Sequence, residues 1–269
     1  MISRLQSWLS YLTSDPVGFI VYALYLTVSV LLSLILHECA HGYVAYRCGD
    51  PTARWMGRLT LDPRKHLDPF GTICMFLLGF GWAKPVPVNP RNFKNYRRDD
   101  FLVSIAGIVT NLTLFIFCVA LSVGINGLMW DRSFLSDFHS VNGSLEALIS
   151  PYWNIGNGIM NGDLSSQWTR YMAAPWLRYV QRFFLMMAQI NLSLAIFNIL
   201  PIPPLDGYHL VNDTLLKGRL QLDHQTFRIA QIVLMVVCLT GVLSTILSRA
   251  NMAVYSAVLH LFLLISGGA

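Results

Sequence analysis

Two histidines and a glutamate arrive together at residues 37–41, as His37-Glu38-Cys39-Ala40-His41, directly after a run at 16–36 that carries no charge. On an α-helix, residues four apart lie on one face a turn apart, so His37 and His41 can address a single ion. Glu38, beside the first histidine, can reach a water on that ion. This is the H-E-x-x-H spacing in which zinc hydrolases combine two imidazole ligands with a general base. The pattern is short, and a His-Glu pair near a helix end also suits residues facing lipid headgroups. A carboxylate at membrane depth is costly, which points to a functional role.

The elements that must position this turn read as membrane spans. Hydrophobic residues make up 54% of the chain and charged ones 12%, a composition expected of a membrane protein. The spacing predicts an all-α polytopic membrane protein of about five to six transmembrane helices, treated as a single domain over 1–269. Spans are expected at about 16–46, 101–129, 179–204, 227–248 and 252–266, each able to cross a ~30 Å hydrocarbon core. The first apolar run lacks a small-residue cleavage site and is read as a retained span. The last two spans are expected to form a hairpin turning at Arg249-Ala250-Asn251.

Between the first two expected spans, the stretch 68–83 is too short for a comfortable crossing, and both its flanks are basic. Its glycines, aromatics and prolines suit a re-entrant or β-hairpin-like element at about 68–90. The Lys/Arg excess places these flanks in the cytoplasm, and the aromatic-rich loop 130–175 on the other side. Tyr152, Trp153, Trp168, Tyr171 and Trp176 of that loop are expected in an interfacial belt. The ion would then lie roughly 9–15 Å below the cytoplasmic boundary, at 1.5 Å per helical residue. The net charge of +5 serves topology, since no basic cluster interleaved with aromatics suggests nucleic acid. The five cysteines form no C-x-x-C pair and are expected to be packed thiols.

A catalytic zinc needs three protein ligands and an open position. Asp206, after the proline-broken segment at 198–205, approaches the same depth on the same side and is the best third ligand, with His209 ranked behind it. His66, His139 and His224 suit loop or solvent-side positions, and His260 suits a packing position on its span.

At this point the chain resembles the site-2 protease family, zinc metalloproteases that cut peptide bonds within membranes. The matching pieces are H-E-C-A-H at 37–41, G-W-A-K-P-V-P-V-N-P at 81–90 and P-P-L-D-G at 203–207. The resemblance implies one zinc per chain held by His37, His41 and Asp206, with Glu38 as catalytic base and Asn198 lining the site. It further implies a transmembrane protein as substrate, a bacterial or archaeal cell membrane and a site near the cytoplasmic side. Where the family often has A-G-P-x-x-N, this chain has Ala106-Gly107-Ile108-Val109-Thr110-Asn111. The loop at 130–175 has no room for a PDZ domain, so a compact, core-only member is expected. Residues 71–88 are expected to hold an unwound substrate segment by β-augmentation. Two other classes fit parts of the pattern: a metal or proton transporter, and a non-catalytic adaptor with a structural zinc.

Overall fold

The computed structural model describes residues 2–69, 71, 83–220 and 222–267. A short helix, α1 (Ile2–Ser14), leads into α2 (Pro16–Cys48). After the one-turn helix α3 (Thr52–Trp55) come two 3-10 turns, Pro63–Lys65 and Pro90–Asn92. The long α4 (Tyr96–Met129) precedes the short helices α5 (Arg132–Asn142), α6 (Glu146–Ile149), α7 (Asn154–Asn161) and α8 (Ser166–Thr169). The chain closes with α9 (Leu177–Asn198), α10 (Asp206–Thr214), α11 (His224–Thr240) and α12 (Val242–Ser266).

Among the described residues, four helices, α2, α4, α9 and α12, are long and apolar enough to cross a membrane. Helix is the form such segments must take, because hydrocarbon offers no partner for a backbone N–H or C=O. Val17, Ile20 and Leu24 are all strongly exposed on one stripe of α2, a face suited to lipid. The helix α11 is apolar as well, but its 17 residues span only about 25 Å.

Several boundaries differ from expectation, among them the end of α9, at Asn198 where 204 was expected. The helix α4 begins at Tyr96, ahead of residue 101, because Asn95 and Asp99 close its first turn. The Asp99 carboxylate accepts from the Asn95 N–H at 2.8 Å, and the Asn95 side-chain oxygen accepts from the Arg98 N–H at 3.4 Å. The hairpin expected at Arg249-Ala250-Asn251 is absent, since these residues lie inside α12. The break falls at Gly241, whose φ of 80° is a left-handed value that glycine adopts at little cost. Arg249 is exposed, and Asn251 is buried and donates to Ser193 Oγ at 3.1 Å, so neither polar residue forces a turn.

No strand occurs among the described residues. Leu67 and Ala83 form an isolated antiparallel bridge, supported by the Lys84 N–H donating to the His66 carbonyl at 2.8 Å. The core of the expected re-entrant or hairpin element, 72–82, lies outside the described residues, as does Cys74. Cys39, Cys48, Cys118 and Cys238 are free thiols. The α4 helix runs unbroken through Ile108, which stands where the family's proline would be.

The chain divides into two compact units. The first comprises Met1–Ser10, Leu31–Leu112 and Leu194–Leu247, and the second Tyr11–Val30, Thr113–Ser193 and Ser248–Ala269. In the second unit, the Trp130–Met172 bridge draws the ends of the 130–175 loop together. Trp168 and Tyr171 cluster there with Trp130 and Phe134. Tyr152 packs against Tyr255, whereas Trp153 and Trp176 are exposed.

Candidate metal centre

The functional turn of α2 presents two faces, both within the first unit. His37 and His41 form one, and their Nε2 atoms stand 3.0 Å apart. Asp206 Oδ2 lies 3.3 Å from the first and 3.5 Å from the second. These three atoms form the cluster able to hold a metal ion among the described residues. Asp206 is the first residue of α10, after the irregular stretch 199–205 with its cis Pro203–Pro204 bond. Gly207 allows a close approach: a Cβ there would stand 2.3 Å from the Ile199 carbonyl oxygen and 2.5 Å from that of Leu200. Its φ is not left-handed, so close packing is what this glycine serves.

Three observations fit this cluster to a cation. The His41 Nδ1 lies 2.7 Å from the Val103 carbonyl oxygen, which can only accept, so in the neutral imidazole the proton sits on Nδ1 and Nε2 keeps its lone pair. Asp206 Oδ2 is buried and has no hydrogen-bond donor. A cation relieves such a convergence of lone pairs, and separations of 3.0–3.5 Å suit ligands about 2.0–2.1 Å from a tetrahedral zinc. Finally, a Cβ on Gly107 would stand 2.6 Å from both Nε2 atoms. The missing side chain leaves a space between the ligands and α4.

Glu38 and Gly42 form the other face. The Val86 N–H donates to Glu38 Oε2 at 2.8 Å. A Cβ on Gly42 would meet Val86 Cγ1 at 2.9 Å, so this glycine lets the 83–89 segment lie against α2. Two buried charges fix that segment. The Arg58 guanidinium donates to the carbonyls of Lys84 at 2.8 Å and Pro85 at 3.1 Å. Asp50 accepts from the Asn89 N–H at 2.7 Å, Asn92 Nδ2 at 2.8 Å and both the N–H and hydroxyl of Thr52. Burial would raise the Asp50 carboxyl, but these donors hold it below the ordinary carboxylate range.

The remaining candidates separate clearly. His209 lies 3.1 Å from Asp100 Oδ2 and is not part of the metal cluster. His66 is buried against the Thr60 carbonyl at 2.8 Å. His260 is exposed on α12, contrary to the packing role expected of it. Asn198 is the half-buried last residue of α9. Sequence reasoning did not single out Asp50, Arg58, Val86, Val103 or Gly107 for these roles. The two charges read as ordinary loop residues, and a backbone carbonyl or a gap has no residue signature.

The chain is similar to proteins that carry a zinc-metalloprotease name. The YwhC protein of Bacillus subtilis (strain 168), which bears a zinc-metalloprotease name, is 40% identical over 194 residues, 72% of this chain and 70% of YwhC. Rip2 of Mycolicibacterium smegmatis, similarly named, is 26% identical over 207 residues, 75% of this chain and 61% of that protein. Rip2 of Mycobacterium tuberculosis (H37Rv) is 33% identical over 120 residues, 42% of this chain and 46% of its own length. No solved structure matches the chain. The profile of peptidase family M50 matches residues 25–242, more than half of the sequence, and the chain therefore belongs to this family, the site-2 protease family of zinc metalloproteases.

Proposed function

We propose that the protein is a zinc-dependent intramembrane endopeptidase, binding one zinc per chain and hydrolysing peptide bonds within or near transmembrane segments of membrane-protein substrates. The observation that carries this reading is the placement of the ligands: His37 and His41 lie on a helix long and apolar enough to cross a membrane, and Asp206 meets them there.

A zinc held by these three residues supplies Lewis-acid activation of water and of the scissile carbonyl. Glu38 is the base. With Oε2 held by the Val86 N–H, Oε1 takes the proton of the attacking water and later delivers it to the leaving nitrogen as the C–N bond breaks. Asn198 lines the site from the end of α9 and donates to the carbonyl oxygen as negative charge develops there. A helical substrate must unwind first, because its peptide groups are engaged in their own hydrogen bonds. Residues 71–88 are the segment proposed to hold it extended; of its described residues, Gly71 is helical and Ala83 to Val88 run without helix.

The metal-bearing end of α2 lies on the cytoplasmic side in this reading. Exposed Arg54, Arg64, Lys65, Arg91, Lys94 and Arg97 in the flanking segments support that orientation through the Lys/Arg bias of cytoplasmic loops. The decisive variant is Glu38→Gln. It should retain zinc at the wild-type level while cleavage of a membrane-embedded substrate falls at least a hundredfold. Undiminished cleavage would remove Glu38 from the mechanism.

A further inference from the structure

A neutral imidazole that offers one nitrogen to a cation must carry its proton on the other, and that proton needs an acceptor. For His41 the acceptor is the Val103 carbonyl. His37 Nδ1 faces the side-chain amide of Asn111 at 3.1 Å. Asn111 is fully buried, and its Oδ1 is without a partner when Nδ2 points at the ring. In that orientation the amide donates to Nδ1 and drives the His37 proton onto Nε2, the atom that faces His41 and Asp206. A proton there excludes a cation.

The oxygen and nitrogen of an amide have nearly the same shape, and a 180° rotation exchanges them. Once rotated, Oδ1 accepts from the His37 Nδ1–H, and Nε2 keeps its lone pair for a metal. The rotation trades one unpartnered buried atom for another, so the amide itself has little preference. Charge at the ligand cluster decides, because a cation there requires the Nε2 lone pair.

We infer that Asn111 is a positioning residue, whose side-chain carbonyl holds His37 in the tautomer that binds metal. This rests on the zinc metalloprotease reading and deepens it. Val103, Gly107 and Asn111 are spaced by four along α4 and share one stripe. Along it they present an acceptor for His41, an open space at the two Nε2 atoms, and an acceptor for His37. One face of α4 thus serves as the template for a site whose ligands all come from other helices.

The test is zinc affinity, read by chelator competition on the purified full chain in detergent, with thermal unfolding of the metal-free protein followed in parallel. Asn111→Leu removes the acceptor and should weaken zinc 10- to 100-fold while leaving the metal-free melting temperature unchanged or raised. Asn111→Asp presents only acceptors and should bind zinc within about threefold of wild type, or more tightly. A donor role or a merely structural role predicts the reverse for this second variant, since a carboxylate cannot donate to Nδ1. The inference is overturned if Asn111→Leu binds zinc as wild type does, or if Asn111→Asp loses as much as Asn111→Leu. Should Asn111→Leu fail to fold, Asn111→Ala replaces it against the same Asp variant. Zinc binding by wild type that His37→Ala abolishes keeps the two readings apart. Without it the metalloprotease reading falls and this inference with it, whereas with it a silent Asn111→Leu defeats the inference alone.

Discussion

The two compact units bury polar groups of different kinds. Among the described residues, the unit containing Leu31–Leu112 buries His37, Asp50, Arg58, His66, Asp99 and Asp100 beside the neutral Ser33, Ser104 and Asn111. The unit containing Thr113–Ser193 buries mostly neutral groups: Ser122, Asn126, Gln181, Asn191 and Asn251. Its one buried charge among the described residues is Arg182, which donates to the carbonyls of Met160 at 3.0 Å and Asn161 at 2.7 Å and lies 4.9 Å from the Tyr25 ring. Burying an ion costs several kcal/mol before any partner offsets it. The first unit sustains that cost where charges hold a metal-competent cluster and the segment beside Glu38. The second needs no such chemistry, and its polar groups tie helices and loops together locally.

Glycine gives the sharpest way to break this contrast, because α4 carries glycines in both units, Gly107 in the first and Gly124 and Gly127 in the second. Gly107→Ala would place a methyl group 2.6 Å from both ligand nitrogens and should lower zinc affinity more than tenfold. Gly124→Ala, on the same helix, meets nothing within 4 Å and should leave zinc content unchanged while adding up to ~1 kcal/mol of helix propensity. Equal zinc binding by the two variants would mean that the space at Gly107 is not the metal's.

The next largest effect concerns Asp50. Asp50→Asn turns an amide toward donors now satisfied by the carboxylate and should cost about 1–3 kcal/mol in the unfolding of detergent-solubilised protein. The sign with pH follows from its depressed folded-state pKa. The stabilisation is fully present above the unfolded value of about 3.9 and is lost as pH falls through the folded value. The gap between wild type and variant should therefore close below about pH 4. A gap that instead widened in acid would show that the Asp50 carboxylate is not what holds the 89–92 segment.

The smallest effect is expected in the second unit. Ser256 Oγ donates to Glu146 Oε1 at 2.8 Å, and Ser256→Ala should cost less than about 1 kcal/mol, with zinc content untouched. A loss as large as that of Asp50→Asn would erase the distinction between the units.

Much of the site was legible because it is written in short, local spacings. His37, Glu38 and His41 need only the α-helical period to be placed, and P-P-L-D-G marked Asp206. The resemblance carried by those motifs agrees with the family match. The fold was less legible at its polar boundaries. Arg249 and Asn251 read as a turn because polar residues interrupt an apolar run, yet an exposed arginine and a hydrogen-bonded asparagine are both compatible with helix. Gly241, the actual break, stood in an apolar stretch with no charge to draw attention to it. Arg58 lies in a basic flank, where a cation suits solvent, yet its guanidinium is buried against two carbonyls.

Sequence alone settles that the first long helix is apolar and carries two imidazoles on one face, because both properties follow from residue type and from 3.6 residues per turn. The meeting of Asp206 with those imidazoles, the space at Gly107 and the acceptors at Val103 and Asn111 belong to the folded arrangement. They depend on which turn of α4 and which end of α10 lie beside α2, and such long-range placement comes from packing across distant stretches of chain. A carbonyl and an absent side chain can serve a metal site only once tertiary structure has aimed them.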